Sequence, residues 1–310
     1  MIVFIAKRLA QMVGIMLVVS VLVFLLLELQ PGDVATKVLG PYSTQEQRQL
    51  WMQANGYTDP ALIRYFRWLG GVVTGDMGES VRFKVPVSDI LWGRLANTGI
   101  LGLAVFLVMV PLSLTLGVLA GMKEGSWLDR TISVACIGTT SVPEFASAVL
   151  MSAIFVFSLG WLPGTSAMSS GFDLAQLVLP VLVLVLYDFG YVARMTRASM
   201  AEVMTTQYIR TAILKGLPYR RVILKHALRN ALIAPFTVIM LQFPWLLTGV
   251  VIVETLFNYK GFGWTLVQAA GNNDIELLLG CSVVAVVVVL TTQLISDIGY
   301  VYLNPRIRVR

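Results

Sequence analysis

Six predominantly apolar segments, each long enough to cross a bilayer as an α-helix, constrain this chain more than any other feature. They run at roughly 9–29, 97–121, 131–159, 174–194, 231–254 and 277–302, and a spanning helix needs about 20 apolar residues. The composition agrees. Of 310 residues, 57% are hydrophobic and 13% charged, and the mean hydropathy is +0.78, whereas soluble domains are about a quarter charged. The expected fold class is an all-α membrane protein with six transmembrane helices. The first apolar run, Leu9 to Leu27, exceeds the ~7–15-residue core of a signal peptide. It continues into Glu28 and Pro31 without a small-residue cleavage site, so it reads as an uncleaved first span.

The charges orient these spans. The stretch from Arg194 to Arg229 holds eight Lys/Arg against one acid, Glu202, and the 160–173 loop holds no Lys or Arg. Placing Lys7 and Arg8, the 194–229 stretch, and Arg306, Arg308 and Arg310 on one side satisfies the positive-inside rule. Both termini are then expected in the cytoplasm. A pI near 9.4 could point to nucleic acid, but the basic residues cluster beside apolar runs, so no nucleic-acid partner is expected. Cys136 and Cys281 fall inside predicted spans without CxxC spacing and read as small apolar fillers. The 30–96 segment, with seven Lys/Arg and six Asp/Glu, is then external. Ser43-Thr44-Gln45-Glu46 fits a capping box that starts a helix ending near Gly56. Asp59-Pro60 reads as an N-cap and first helical residue, with Leu62, Tyr65, Phe66 and Leu69 on one apolar face of the helix that follows.

The 194–229 stretch carries the densest pattern. Gly216 is placed to end one helix and Pro218 to begin the next. A basic amphipathic helix could simply lie on anionic lipid. The pattern goes further: a small-residue pair, Thr211-Ala212, is followed after three residues by Gly216. Around it stand Tyr208, Arg210, Lys215, Leu217, His226, Leu228, Arg229, Asn230, Ala231 and Pro235. Other motifs are Pro31-Gly32-Asp33, Trp68-Leu69, Gly75-Asp76-Met77-Gly78-Glu79-Ser80, Ser141-Val142-Pro143, Leu162-Pro163, Leu179-Pro180, Ala193 to Met200, Val253-Glu254-Thr255 and Pro305-Arg306. In order and spacing this resembles the type I ABC importer permeases of the dipeptide/oligopeptide/nickel kind. Two departures stand out. Lys260-Gly261-Phe262-Gly263 stands where the family usually has Pro-Gly-x-Gly, and Asn304 stands where it usually has Asp before Pro-Arg.

The resemblance implies a type I permease core with a cytoplasmic ATPase-coupling loop. The site residues it implies are Tyr208, Arg210, Thr211, Ala212, Lys215, Gly216, Leu217, Pro218, His226 and Arg229. The division that follows is a first transmembrane helix over 1–30, an external helical segment over 31–96, a five-helix permease core over 97–303 with the coupling loop at 195–230, and a tail over 304–310. The implied partners are a second homologous permease subunit, two ATPase subunits, an extracytoplasmic substrate-binding protein and membrane lipid, in a bacterial plasma membrane. Family members carry peptides, nickel or metal chelates, opines or sugars, and the sequence does not choose among them. Glu254, Asp274 and Glu276 against Lys260 hint at tolerance for cationic groups at the outer mouth.

Buried ionisable residues complete the reading. Glu144, Asp188, Glu254 and Asp297 fall within or at the ends of spans, where a charge costs about 2.5–3.5 kcal/mol on insertion scales. Glu144, Asp188 and Glu254, with Pro143 as a kink, are candidates for the translocation path or gate. For Asp188 a structural pair with Arg194 stands equally open. Pro143 and Pro180 can kink spans three and four. Tyr187-Asp188 lacks the second Gly-x-Gly-Asp aspartate of an intramembrane protease, and His226 is the single histidine, so neither an aspartyl nor a zinc enzyme is expected. No Gly-Lys dipeptide and hence no phosphate-binding Walker loop is present. The chain is expected to bind no metal or cofactor itself, and ATP and Mg belong to partner ATPase subunits. A stand-alone secondary transporter or channel is the alternative.

Overall fold

The computed structural model describes residues 2–29, 34–169, 171–272 and 274–303. Among them the regular structure is helical, with one isolated extended bridge between Glu79 and Pro86. The helices run in order α1 (Ile2–Glu28), α2 (Val34–Leu39), α3 (Gln45–Ala54), α4 (Ala61–Thr74), α5 (Val87–Met122), α6 (Trp127–Ser141) and α7 (Glu144–Ser152), the last continued by a π-helical turn, Ala153–Ser158. Then come α8 (Leu174–Met204), α9 (Gln207–Leu214), α10 (Tyr219–Arg221), a π-helical turn Val222–Ala227, α11 (Leu228–Ala231), α12 (Ile233–Leu256), α13 (Phe262–Gly271) and α14 (Ile275–Leu303). Pro31-Gly32-Asp33, Asn304-Pro305-Arg306 and the basic tail lie outside the described residues.

Ala6–Glu28, Val87–Met122, Leu174–Met204 and Ile275–Gly299 are each long and apolar enough to cross a membrane. Two bent pairs raise the number to six when each is one span: Trp127–Ser141 with Glu144–Ser158, and Tyr219–Ala231 with Ile233–Phe243. Each of these six overlaps one of the six apolar runs, the second bent pair reaching only to Phe243 in the fifth and taking in Tyr219–Ala231 of the basic stretch. The third run, expected as one helix kinked at Pro143, is broken by 98°. Val142 is extended (φ −91°, ψ 122°), as a residue before proline prefers, and Pro143 has no N–H with which to continue α6. Pro180 acts differently and leaves α8 continuous. The carbonyl that a residue-180 N–H would have engaged belongs to Gln176, and the Ser166 hydroxyl donates to it instead.

The chain divides into two compact units, Met1–Thr98 with Lys260–Thr291, and Gly99–Tyr259 with Thr292–Arg310. In the first, Val87, Ile90, Leu91, Phe262, Ala269, Leu277 and Cys281 form the core. The Lys260-Gly261-Phe262-Gly263 segment is fastened by its backbone. Arg94 Nη1 and Asn97 Nδ2 donate to the Lys260 carbonyl (3.0 and 2.9 Å), and the Phe262 N–H donates to Thr98 Oγ1 (2.7 Å). Asp274, expected among acids at the outer mouth, is instead fully buried. It accepts from Ser80 Oγ and the Arg82 N–H, and it caps the start of α14 through the Leu277 N–H. The capping box of α3 is real but one residue along: Thr44 is the N-cap and Gln47 its reciprocal partner. Asp59 does not cap α4; its carboxylate pairs with Arg67 and its carbonyl accepts from Arg64 Nε. Of the apolar face expected on α4, Tyr65 is buried, edge-on to Phe24 of α1 and hydrogen-bonded to Ser20 Oγ at 2.9 Å. Leu62 and Phe66 are exposed, because α4 meets α1 over one short stretch.

In the second unit α8 is the central helix, and small residues set its distance from its neighbours. A Cβ built on Gly117 of α5 would stand 2.5 Å from the Ala193 carbonyl oxygen, and one on Gly121 would stand 2.6 Å from that of Arg197. On α8 itself, a Cβ at Gly190 would stand 2.6 Å from the Cys136 carbonyl oxygen of α6. This is the small-xxx-small packing of membrane helices, with Gly117 and Gly121 four residues apart. Leu179, Val183, Leu184, Val192, Met109 and Val253 fill the surrounding core. Gly190→Val is expected to destabilise the packed protein by more than the ~1–3 kcal/mol of ordinary overpacking. Gly138→Val, on α6 with open space at its Cβ, is expected to be neutral. Monodisperse yield on size exclusion after detergent extraction checks both.

Candidate functional site

The basic loop begins where α8 ends. α9 is closed by Gly216, whose φ of +73° only glycine adopts without strain. The Gly216 N–H donates to the Ile213 carbonyl (2.9 Å) and the Leu217 N–H to that of Ala212 (3.4 Å), the two bonds of a Schellman closure. Nothing lies within 4 Å of where a Gly216 Cβ would stand, so backbone sign and not space demands glycine here. Pro218 follows as the residue before α10. The strand of helices then folds back through the π-helical turn that carries Lys225 and a half-buried His226.

Ile209, Ala212, Val222, Ile223, Ala227 and Ala231 form a buried cluster with Met200 of α8, and Leu217 and Leu228 pack against it. The two small residues of the motif are therefore separated. Ala212 faces this inner cluster, while Thr211 is exposed and donates its hydroxyl to the Gln207 carbonyl (2.9 Å). Tyr208 is tied back to α11 by Asn230 Nδ2, which donates to its hydroxyl at 2.9 Å. The outer surface combines exposed apolar side chains with cations. Leu214 is 81% exposed and Leu224 57%, beside exposed Arg210, Lys215, Arg220, Arg221, Lys225 and Arg229. Leu214 carried no sequence signal, since an exposed leucine cannot be told from a buried one by type.

The loop's root is clamped by a pair that sequence reading missed. Arg197 of α8 donates from Nε and Nη2 to the two carboxylate oxygens of Asp129, both at 2.8 Å. Asp129 is 3% exposed and also accepts from the Gly125 N–H. Its own N–H donates to Ser126 Oγ (3.2 Å), so Ser126-x-x-Asp129 is the N-terminal signature that could have flagged it.

The buried acids form a second candidate site. Glu144 is the first residue of α7 after the 98° break, and it lies near enough for its charge to act on Asp188 of α8. Asp188 is 2% exposed. Its Oδ1 accepts from Gln242 Nε2 of α12 at 3.2 Å, while Asp188 Oδ2 and Glu144 Oε2 are buried without a hydrogen-bond partner. The pairing with Arg194 held open by the sequence is not formed: Arg194 Nε instead donates to the Gly190 carbonyl (3.4 Å). Glu254 is fully buried but sits elsewhere in the unit, beside Tyr259, whose phenol is pushed up to about 12 by burial and by the Glu254 charge. Among the described residues no group of three His, Cys, Asp or Glu could hold a metal ion.

The αL requirement gives a direct test. Gly216→Val is expected to strain the closure by about 1–3 kcal/mol, and Gly216→Asn by less, because asparagine tolerates αL. Limited trypsinolysis at Lys215, Arg220 and Arg221 in otherwise folded protein should rank valine fastest, then asparagine, then wild type.

Comparison with known proteins places this geometry. Residues 113–309 match the family described as binding-protein-dependent transport system inner membrane component. Residues 1–90 match the N-terminal region of such membrane components. The oligopeptide transport system permease protein AppB of Bacillus subtilis is 33% identical over 98% of both chains. A putative peptide transport system permease protein of Brucella abortus is 36% identical over 98% of both, and the glutathione transport system permease protein GsiC of Salmonella paratyphi A is 33% identical over 99% of both. A crystal structure of an amino acid ABC transporter with histidines matches the fold at a TM-score of 0.52 and 14% identity, covering 69% of this chain and 94% of that one. The chain therefore belongs to the family of binding-protein-dependent transport system inner membrane components, and it is a multi-pass permease subunit of such an importer in a bacterial inner membrane.

Proposed function

We propose that this subunit forms half of the translocation path of an ATP-driven importer for peptide-like solutes and that the loop at 195–230 couples it to a separate ATPase. The assembly would contain a second homologous permease, two ATPase subunits binding ATP and Mg, and an extracytoplasmic substrate-binding protein. In this reading both termini and the loop are cytoplasmic, 1–30 is the first span, 31–96 an external layer, 97–303 the permease core and 304–310 a cytoplasmic tail. The names of the relatives, which carry oligopeptide, peptide and glutathione labels, favour peptides over nickel, chelates, opines or sugars.

One observation carries the coupling role. The loop uses its inner residues, Ile209 and Ala212 among them, for its own core and leaves Leu214 most exposed, with Ile213, Tyr219 and Leu224 also outside, amid six exposed cations. A lipid-surface helix would turn its whole apolar stripe to the membrane. A compact, self-supporting knob with a protruding leucine and a basic rim suits a cleft on another protein whose rim is acidic. Mechanistically, ATP binding favours the closed ATPase pair, and the loop transmits that differential binding to α8 and through it to α5 and α6. On the path, the free carboxylate oxygens of Asp188 and Glu144 would meet the ammonium end of a passing peptide, and Pro143 fixes the break that presents Glu144. Glu254 would act as a buried element of the gate.

Purification of the tagged chain from native membranes is expected to recover a second permease and two ATPase subunits. Hydrolysis should be stimulated by binding protein with a dipeptide such as Ala-Ala, and Leu214→Asp should reduce that stimulation at least tenfold while preserving insertion. Recovery without any ATPase would overturn this reading in favour of a stand-alone transporter or channel. Asp188→Asn should abolish the preference for Ala-Ala over N-acetyl-Ala-Ala in proteoliposome uptake; an unchanged ratio would remove Asp188 from the path.

A further inference from the structure

The first unit contains a cavity of about 320 Å³ that neither the loop nor the buried acids use. The end of α1, α3, α4, the segment around Gly78 and the first turn of α14 enclose it. Its size lies at the lower end of small-ligand sites, which run from about 300 to 1,000 Å³. On the topology proposed above, it opens on the outer face.

Its chemistry is selective. Trp51 and Tyr57 stack along one wall, with centroids 5.2 Å apart and planes at 28°. The two lining cations are already engaged. Arg64 pairs with Glu28 and lies 5.1 Å over the Tyr57 ring, and Arg67 pairs with Asp59. The remaining lining acids are Asp76, Glu79 and Glu276. Asp76 accepts from the Gly78 N–H (2.9 Å), but among the described residues the Glu79 and Glu276 carboxylates have neither a hydrogen bond nor an ion pair. Glu276 reaches over Gly78, with Oε2 3.0 Å from where a Cβ would stand, so glycine there makes room for the carboxylate. The Tyr57 phenol is raised well above its ordinary pKa by burial and then by the Glu276 charge, and it stays a donor at neutral pH. A further donor, Trp68 Nε1, is buried without a partner.

Carboxylates without a partner attract a cation, and the Trp51 ring in the same lining adds to that attraction, the Tyr57 ring being already engaged by Arg64. An indole N–H left without an acceptor needs an oxygen. One small molecule that supplies both carries an ammonium group and an acceptor oxygen a few atoms away. We propose that this cavity binds an amino-alcohol unit of the ethanolamine type, its ammonium between Glu276, Glu79 and Trp51 and its oxygen toward Trp68. That unit could come from a free solute or from the headgroup of an aminophospholipid in the surrounding membrane.

The test uses the full assembly in nanodiscs. In phosphatidylglycerol discs it is titrated calorimetrically with phosphoethanolamine. In mixed phosphatidylethanolamine/phosphatidylglycerol discs, the lipid retained on release is identified by native mass spectrometry. The expected result is saturable binding or selective retention of phosphatidylethanolamine, weakened about tenfold in Glu276→Gln and in Glu79→Gln. Retention of lipid without a response to free phosphoethanolamine assigns the headgroup source, and the reverse assigns the solute. No binding in either arm, or binding unchanged in both variants, overturns the proposal. The Glu79→Gln change lies on an exposed segment and outside any helix, so it keeps the test readable should the α14 variant fail to fold.

Discussion

Backbone-to-backbone approach around α8 is the constraint on which the second unit depends. In hydrocarbon no solvent-driven force distinguishes one apolar helix surface from another, so van der Waals contact and internal hydrogen bonds decide the packing. Gly117, Gly121 and Gly190 bring α5 and α6 onto α8 at distances no other residue would permit. With those contacts made, Asp129 at the start of α6 meets Arg197 on α8 in a two-bond fork. The ion pair depends on the close approach and joins the start of α6 to α8 seven residues before α8 ends. Under the coupling role proposed above, a movement imposed on the basic loop would reach packed helices directly.

The same logic of internal satisfaction explains how α8 tolerates a proline that elsewhere in the chain marks a break. Pro180 removes one hydrogen bond from α8, and the carbonyl it leaves behind is met by Ser166. The Ser166 N–H in turn donates to the Phe257 carbonyl at 2.7 Å, so the repair also ties the segment before α8 to the end of α12. Pro143 follows an extended Val142, and there the chain turns sharply. The sequence around Pro180 is apolar from Leu177 to Leu186, whereas Thr139, Thr140, Ser141 and Glu144 surround Pro143, and at Pro180 a donor ten residues from the freed carbonyl lets the helix continue.

Much was legible from residue type and spacing. The six apolar runs, the stop at Gly216 and the cap near Thr44 rest on local rules, and local rules can be read from a sequence. What escaped depends on partners far along the chain. Asp59 looked like an N-cap, but Arg67, two helical turns on, competes for its carboxylate. Asp274 looked like a mouth acid, but Ser80, 194 residues away, satisfies it. Asp188 had a nearby arginine in sequence, yet its donor is Gln242, 54 residues on. The three close-packed glycines were invisible for a related reason. A glycine in an apolar helix carries no mark saying which backbone approaches it, and Gly138, which nothing approaches, reads the same as Gly190.

The loop motif shows how such a pattern can mix two kinds of requirement. Gly216 is needed for its backbone sign, and Ala212 lies in the loop's own buried core. Both specify the shape of the knob, and neither presents a side chain to a partner. The residues that could tell one partner from another are the exposed ones, Thr211, Leu214 and the surrounding cations. The motif thus contains both residues that shape the knob and exposed ones, Thr211, Arg210 and Lys215 among them, while Leu214 lies outside it. The candidate path has the same division. The break at Pro143 and the position of α8 fix where Glu144 and Asp188 stand, and the carboxylate oxygens left without partners are what a solute would meet. Leaving them unpaired in a membrane is costly, a cost that the proposed path role would put to use in binding and releasing a solute.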